Sequence, residues 1–170
     1  MKKRSGDFSK VLVACVFLAG ALFAAGPAHA TWYWIHGHEG HVEFMDNVAD
    51  PALHRGWGLD IYQHSSTDNW VHFAVPTIGD ATTGVRYIRV KFYSPSSDSW
   101  VSEVAVYNGK DPIGGKTGKW ANGEKTINVD LGAVTNFSCG LGISVKINAG
   151  SEKASHEIVF RAVGANFVSK

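Results

Sequence analysis

The sequence predicts an all-β fold: an antiparallel two-sheet sandwich, jelly-roll-like, forming one domain after a cleaved signal peptide. Three observations carry that expectation. From residue 31 onward, apolar residues recur at every second position in short runs, with no sustained 3.6-residue period. Clusters of Gly, Asn, Asp, Ser and Pro separate the runs, and these are the residues that turns require. No alternation of strand and helix patterns occurs, which argues against a parallel sheet with crossovers and leaves antiparallel sheets packed face to face. A closed barrel is the second arrangement the pattern allows.

In chain order the leader comes first. Lys2, Lys3 and Arg4 form a basic start, residues 11–25 are apolar and uncharged, and Ala28-His29-Ala30 supplies a small-x-small cleavage site before Thr31. That apolar run is shorter than the roughly 20 residues of a spanning helix. Residues 1–30 therefore read as a signal peptide and residues 31–170 as the β-sandwich domain. Cys15 precedes most of the apolar run, the reverse of a lipoprotein box, so lipidation is not expected. The expected location is periplasmic or extracellular, with no stable membrane insertion after cleavage.

Within the domain, short strands at residues 32–35 and 42–44 flank a polar hairpin turn over 37–40, and residues 45–54 have room for one helical turn. Residues 69–75 alternate, with Val71, Phe73 and Val75 opposing Trp70, His72 and Ala74. The clearest strand spans 85–93, where Ile88, Val90 and Phe92 oppose Tyr87, Arg89, Lys91 and Tyr93. Ile127, Val129 and Leu131 form another inward face. Cys139, Leu141, Ile143, Val145 and Ile147 form the next, and His156, Ile158, Phe160 and Ala162 the last. Turns are expected at 94–98, 108–112, 114–116, 122–123 and 149–151.

Composition narrows the function classes. The leader holds four of the sixteen basic residues and one of the fifteen acidic ones, leaving 12 against 14 in the domain, about −2 with His neutral. Such a balance gives no electrostatic footprint for nucleic acid. Cys139 is the one cysteine left after cleavage, so no intramolecular disulfide forms. Its place in an alternating pattern predicts a buried small apolar residue.

The densest group of titratable side chains is His36-Gly37-His38-Glu39-Gly40-His41-Val42-Glu43. A zinc-protease helix needs His-Glu-x-x-His, and here the second His comes one residue early between glycines that oppose a helix. On an extended strand, His36 and His38 would share a face and could chelate a divalent transition metal with Glu43. His36-Gly37-His38, four residues, then Glu43 resembles the core of the first cupin motif. The resemblance implies a transition metal held in a jelly roll. Otherwise no cofactor is expected.

Six tryptophans give the domain a second chemical signature. A sugar ring presents C–H groups that stack on aromatic faces, and neighbouring polar side chains bond its hydroxyls. Trp70, His72, Tyr87, Arg89, Tyr93 and Trp57 are the candidate ligand-binding set, on the expectation that the 70–72 and 87–93 faces meet. Trp32 and Trp34 share a face with His36.

Three segments stand in order along the chain: Trp34-Ile35-His36-Gly37, Gly56-Trp57-Gly58, and Asn69-Trp70-Val71-His72-Phe73-Ala74-Val75-Pro76-Thr77. In these the chain resembles a domain of unknown function found in small bacterial and fungal proteins. Val104-Ala105-Val106-Tyr107-Asn108-Gly109 is similar to that family's strand ending in Asp-Gly. The resemblance implies a compact β fold and no particular activity, and it groups His36 with Trp34 and Gly37. The functional expectation is an exported, non-enzymatic binding protein whose partner is a polysaccharide or another envelope component. The alternatives are a metal-binding, cupin-like protein or enzyme using His36, His38 and Glu43, and a structural subunit of an envelope or extracellular assembly.

Overall fold

The computed structural model describes residues 30–170 apart from Asp80, Lys153 and Ala154. The leader assignment therefore lies outside the described residues, Ala30 excepted. Eleven strands occur among the described residues: β1 (Ala30–His36), β2 (His41–Val42), β3 (Leu53–Arg55), β4 (Gly58–Tyr62), β5 (Asp68–Val75), β6 (Thr83–Ser94), β7 (Ser99–Asn108), β8 (Asp111–Trp120), β9 (Gly123–Thr135), β10 (Leu141–Ala149) and β11 (Glu157–Ser169). All pair antiparallel, in two sheets. Sheet A runs β3-β4-β11-β6-β9, with β1 also on β11, and sheet B runs β2-β5-β10-β7-β8. The chain passes from one sheet to the other at most connections, which gives the jelly-roll-like sandwich.

The core lies between the sheets and follows the alternation. Val71, Phe73 and Val75 of β5 are buried, as are Ile88, Val90 and Phe92 of β6 and Ile143, Val145 and Ile147 of β10. Phe160 joins the layers, with its ring 5.4 Å from Phe73 across the core and 6.1 Å from Phe92 beside it. Among the described residues no helix is long and apolar enough to cross a membrane.

Four local expectations are corrected. Residues 37–40 do not make a hairpin: a 3-10 turn, Gly37–Glu39, carries the chain from β1 in sheet A to β2 in sheet B. Residues 114–116 do not turn either. They lie in β8, an edge strand with one side unpaired, where glycine and Pro112 are tolerated. Cys139 is exposed, because β10 begins only at Leu141 and the thiol sits in the connection before it. Finally, β11 continues well past Ala162. A bulge between Phe160 and Ala162 leaves Arg161 as the extra residue, so the inward face shifts to Val163, Ala165 and Phe167.

Two motif glycines meet at that bulge. A Cβ on Gly37 would lie 1.8 Å from the Phe160 carbonyl oxygen, and one on Gly58 would lie 2.1 Å from the same atom. Gly58 also has φ = 154°, a conformation side chains rarely adopt. Strands β1 and β4 both pair with β11, β4 on the stretch before the bulge and β1 on the stretch after it.

Candidate functional site

The outer face of sheet B is built from cross-strand rows. Asn148 of β10 sits between Asp68 and Trp100, Lys146 between Trp70 and Glu103, Ser144 between His72 and Ala105, and Gly142 between Ala74 and Tyr107. Six residues of β5 separate the first row from the last, roughly 20 Å at strand rise. Clefts open along this face. At one end Trp100, Asn148, Asp68 and Asn47 border a cleft of about 700 Å3. At the other, Tyr107, Lys110, His41, His72 and Ser144 border one of about 470 Å3, whose floor includes Ala74 and Gly142. A third of about 260 Å3 continues past Gly142 to Cys139. Small floor residues between aromatic walls are what make the surface hollow there.

Buried Asn69 explains how the walls are fixed. Its Oδ1 accepts from the backbone N–H groups of Phe44 and Trp70, each at 2.9 Å, and its Nδ2 donates to the Phe44 carbonyl at 2.7 Å. With Glu43 N–H bonded to the Trp70 carbonyl at 2.9 Å, the segment after β2 is held against β5 and Glu43 is delivered to His72. His72 Nε2 donates to Glu43 Oε2 at 3.0 Å, and Ser144 Oγ lies 2.8 Å from His72 Nδ1. A carboxylate only accepts, so the neutral ring keeps its proton on Nε2 and Ser144 donates to Nδ1. The Ser144 lone pairs are left for a donor in the cleft. The three residues come from different strands: Ser144 from central β10, His72 from neighbouring β5, and Glu43 from the segment just after β2. Lys146 pairs with Asp68 at 2.7 Å beside Trp70, and Lys119 lies 4.2 Å from the centre of the Trp100 ring.

The structure divides the sequence-predicted ligand set. Trp70 and His72 face outward from sheet B, whereas Tyr87, Arg89 and Tyr93 face outward from β6 in sheet A. The expected meeting of the two groups does not occur, because β5 and β6 lie in different sheets with the core between them. Trp57 is 55% exposed on the sheet A side, with Arg55 5.2 Å from its ring centre and Arg161 donating to its carbonyl.

On sheet A, Trp34, Gly164, Arg89 and Asn128 form one outward row, and His36, Ala162, Lys91 and Thr126 the next. Trp32 and Trp34 stack with centroids 5.3 Å apart. Arg89 lies 4.4 Å from the Trp32 ring centre and Lys91 4.6 Å from that of Trp34. Trp34 leans over Gly164, where a Cβ would come within 2.6 Å of the ring. Toward one end of this face Arg86 grips Asp130 at 2.6 Å and holds its carboxyl below the usual range, helped by the Gly132 N–H. Toward β4, burial raises the Glu157 carboxyl, and neighbouring Asp60 raises it further. Tyr62 donates to Glu157 at 3.1 Å, and its own hydroxyl is raised by burial and by that bond.

The proposed metal trio is also divided. His36 and His38 come together, ring centroids 4.5 Å apart, but Glu43 crosses to sheet B and bonds His72. His38 pairs instead with Glu39 at 2.7 Å, and its carbonyl bonds His54. The strand ends at His36, so the geometry the cupin-like reading required is not formed. Among the described residues no group of three or more His, Cys, Asp or Glu side chains is arranged to hold a metal ion. Trp100, Tyr107 and Ser144 line the clefts and lie outside the sequence-predicted ligand set. A bulge in β7 puts Val101 and Val104 three apart on the inward face, which hides the alternation that would have exposed Trp100.

No protein-family model and no curated protein matches the chain. Solved structures do resemble it. A low-affinity xylan-binding module from Roseburia intestinalis superposes with a TM-score of 0.51 at 12% identity, over 79% of this chain and 94% of that one. The likeness is one of fold. The C-terminal CBM6 of a marine laminarinase from Zobellia galactanivorans has a TM-score of 0.44 at 11% identity, over 82% of this chain and all of that one. A family two carbohydrate esterase from Cellvibrio japonicus also has a TM-score of 0.44 at 11% identity, over 81% of this chain. There the chain spans about a third, 34%, of the esterase.

Proposed function

We propose that this domain is an exported, non-enzymatic glycan-binding module whose ligand lies along the outer face of sheet B. The observation that carries the reading is the alignment of clefts on that one face, with Trp100, Trp70 and Tyr107 offering ring surfaces along it. Hydrogen-bonding groups stand between them. Asn148 and Asp68 serve one end, and Ser144, fixed by His72 and Glu43, serves the other. Sugar C–H faces stack on the rings while hydroxyls meet these polar atoms, and the row spacing suits a short stretch of polymer. The fold shared with a xylan-binding module is compatible with this reading.

Affinity electrophoresis through xylan, mixed-linkage β-glucan and soluble peptidoglycan fragments tests it. The wild-type protein is expected to be retarded by at least one of them. Trp70→Ala is expected to weaken that retention about tenfold, the scale of one well-placed aromatic contact plus its buried area. Unretarded migration of the wild type in all three gels would refute the proposal.

A further inference from the structure

The outer face of sheet A carries a different chemistry, independent of the sheet B clefts. Its carboxylates on β9 are already engaged, Asp130 by Arg86 at 2.6 Å and Glu124 by Arg161 at 3.2 Å. Arg89 is not: its Nε donates to the Asn128 side chain at 2.6 Å. Beside this face, Lys116 of β8, the edge strand of sheet B, reaches across to donate to the Asn128 carbonyl at 3.1 Å. Among the described residues Arg89, Lys91 and Lys116 have no carboxylate partner. Their contacts with Trp32, Trp34 and Asn128 orient them without neutralising them, because a ring face attracts a cation through its quadrupole and carries no net charge. This concentration of positive charge occurs in a domain with 12 basic and 14 acidic residues from position 31 onward. It is therefore local, and it coincides with two stacked indoles, one of them 40% exposed.

We propose that this face is a second binding site, for an anionic polysaccharide whose rings stack on Trp34 and Trp32 while its acid groups meet Arg89 and Lys91. The central strand makes the convergence feasible, since Gly164 and Ala162 leave the space into which indoles and cations lean from either side. A nucleic acid fits less well. Its closely spaced phosphates need a broad basic surface, and the domain as a whole is slightly acidic.

The test uses protein purified from expression of the full chain and four immobilised polymers: polygalacturonate, dextran sulfate, neutral dextran and single-stranded DNA. Wild type is expected to bind one or both acidic polymers at 50 mM salt and to lose at least tenfold in affinity at 300 mM. Arg89→Gln/Lys91→Gln is expected to lose a similar factor, whereas Trp70→Ala retains full binding. Retention on polygalacturonate alone assigns carboxylate-bearing sugars, and retention on dextran sulfate alone assigns sulfate esters. Should the double variant fail to fold, Lys91→Glu, at an exposed position, is expected to reduce binding severalfold. The proposal is overturned if wild type binds neither acidic polysaccharide, if Trp70→Ala binds neutral dextran as well as it binds the acidic polysaccharides, if the folded Arg89 and Lys91 variants bind like wild type, or if single-stranded DNA binds more tightly than both acidic polysaccharides. Retention of neutral glycans through Trp70 is unaffected by any of these results.

Discussion

Filling the sheet B cleft from its floor should separate binding from folding. Gly142 borders both the 470 Å3 and the 260 Å3 clefts. A Cβ added there would meet only the Tyr107 Cβ, at 3.6 Å, an ordinary contact, and its φ lies outside the left-handed region. Gly142→Val is thus accommodated by the backbone, and its two methyl groups project where a ligand would lie. Glycine inside a strand costs about 0.5–1 kcal/mol relative to alanine. A β-branched side chain on a pleated surface adds a few tenths more, on a scale of about 1 kcal/mol. The variant should therefore be more stable by about 1 kcal/mol, roughly 3 °C in Tm for a domain of this size. Glycan retention on the polymer that retards wild type should fall more than tenfold. Thermal denaturation by circular dichroism and affinity electrophoresis on the same preparation measure both. A drop of several degrees would mean the space above Gly142 is not open. Unchanged retention in a stable variant would mean the cleft does not hold the ligand.

Three further outcomes follow from particular contacts. Gly37→Ala should destabilise the domain by about 2 kcal/mol, within the range for overpacking, since its Cβ must displace the Phe160 carbonyl; urea denaturation reads this directly. Phe160→Ala should cost about 3–5 kcal/mol, as it removes a fully buried ring that touches both Phe73 and Phe92; a smaller loss would mean the cavity collapses. Glu157 binds its proton more tightly folded than unfolded, so above its ordinary value of about 4.5 the folded state holds more protons and stability falls as pH rises toward neutrality. Glu157→Gln should flatten that decline and stabilise the protein at pH 7 relative to wild type, and denaturant midpoints compared at pH 4 and pH 7 would detect the change in slope.

Much of this architecture is written in local alternation. The faces of β5, β6 and the first part of β11 are legible because their partners run in register and one side is dry. Legibility fails where a single residue shifts the period. Arg161 reverses β11 at midlength, and the irregularity in β7 conceals Trp100. Edge strand β8 escapes for another reason, since an unpaired outer side imposes no apolar pattern and admits Gly114, Gly115 and Pro112. The candidate sites were harder still. Whether Trp70 meets Tyr87 depends on which sheet each strand joins, a long-range property on which period two is silent. The Asn69-Trp70-Val71-His72-Phe73 segment divides by role: Asn69 clamps the segment after β2, Trp70 and His72 line the outer face, and Val71 and Phe73 fill the core.

The pairing of β1 with β11 has a consequence for how the chain is made. The first strand of sheet A finds its partner more than 120 residues later, Ala30 opposite Val168 and His36 opposite Ala162. A ribosome that has released everything up to β10 has still withheld the strand that stands between β1, β4 and β6. Contacts this distant close late, after their loop entropy has been met. Until β11 emerges, β1, β4 and β6 lack the strand that pairs with all three, so sheet A has no centre. Emergence of β11 is the step that lets sheet A assemble.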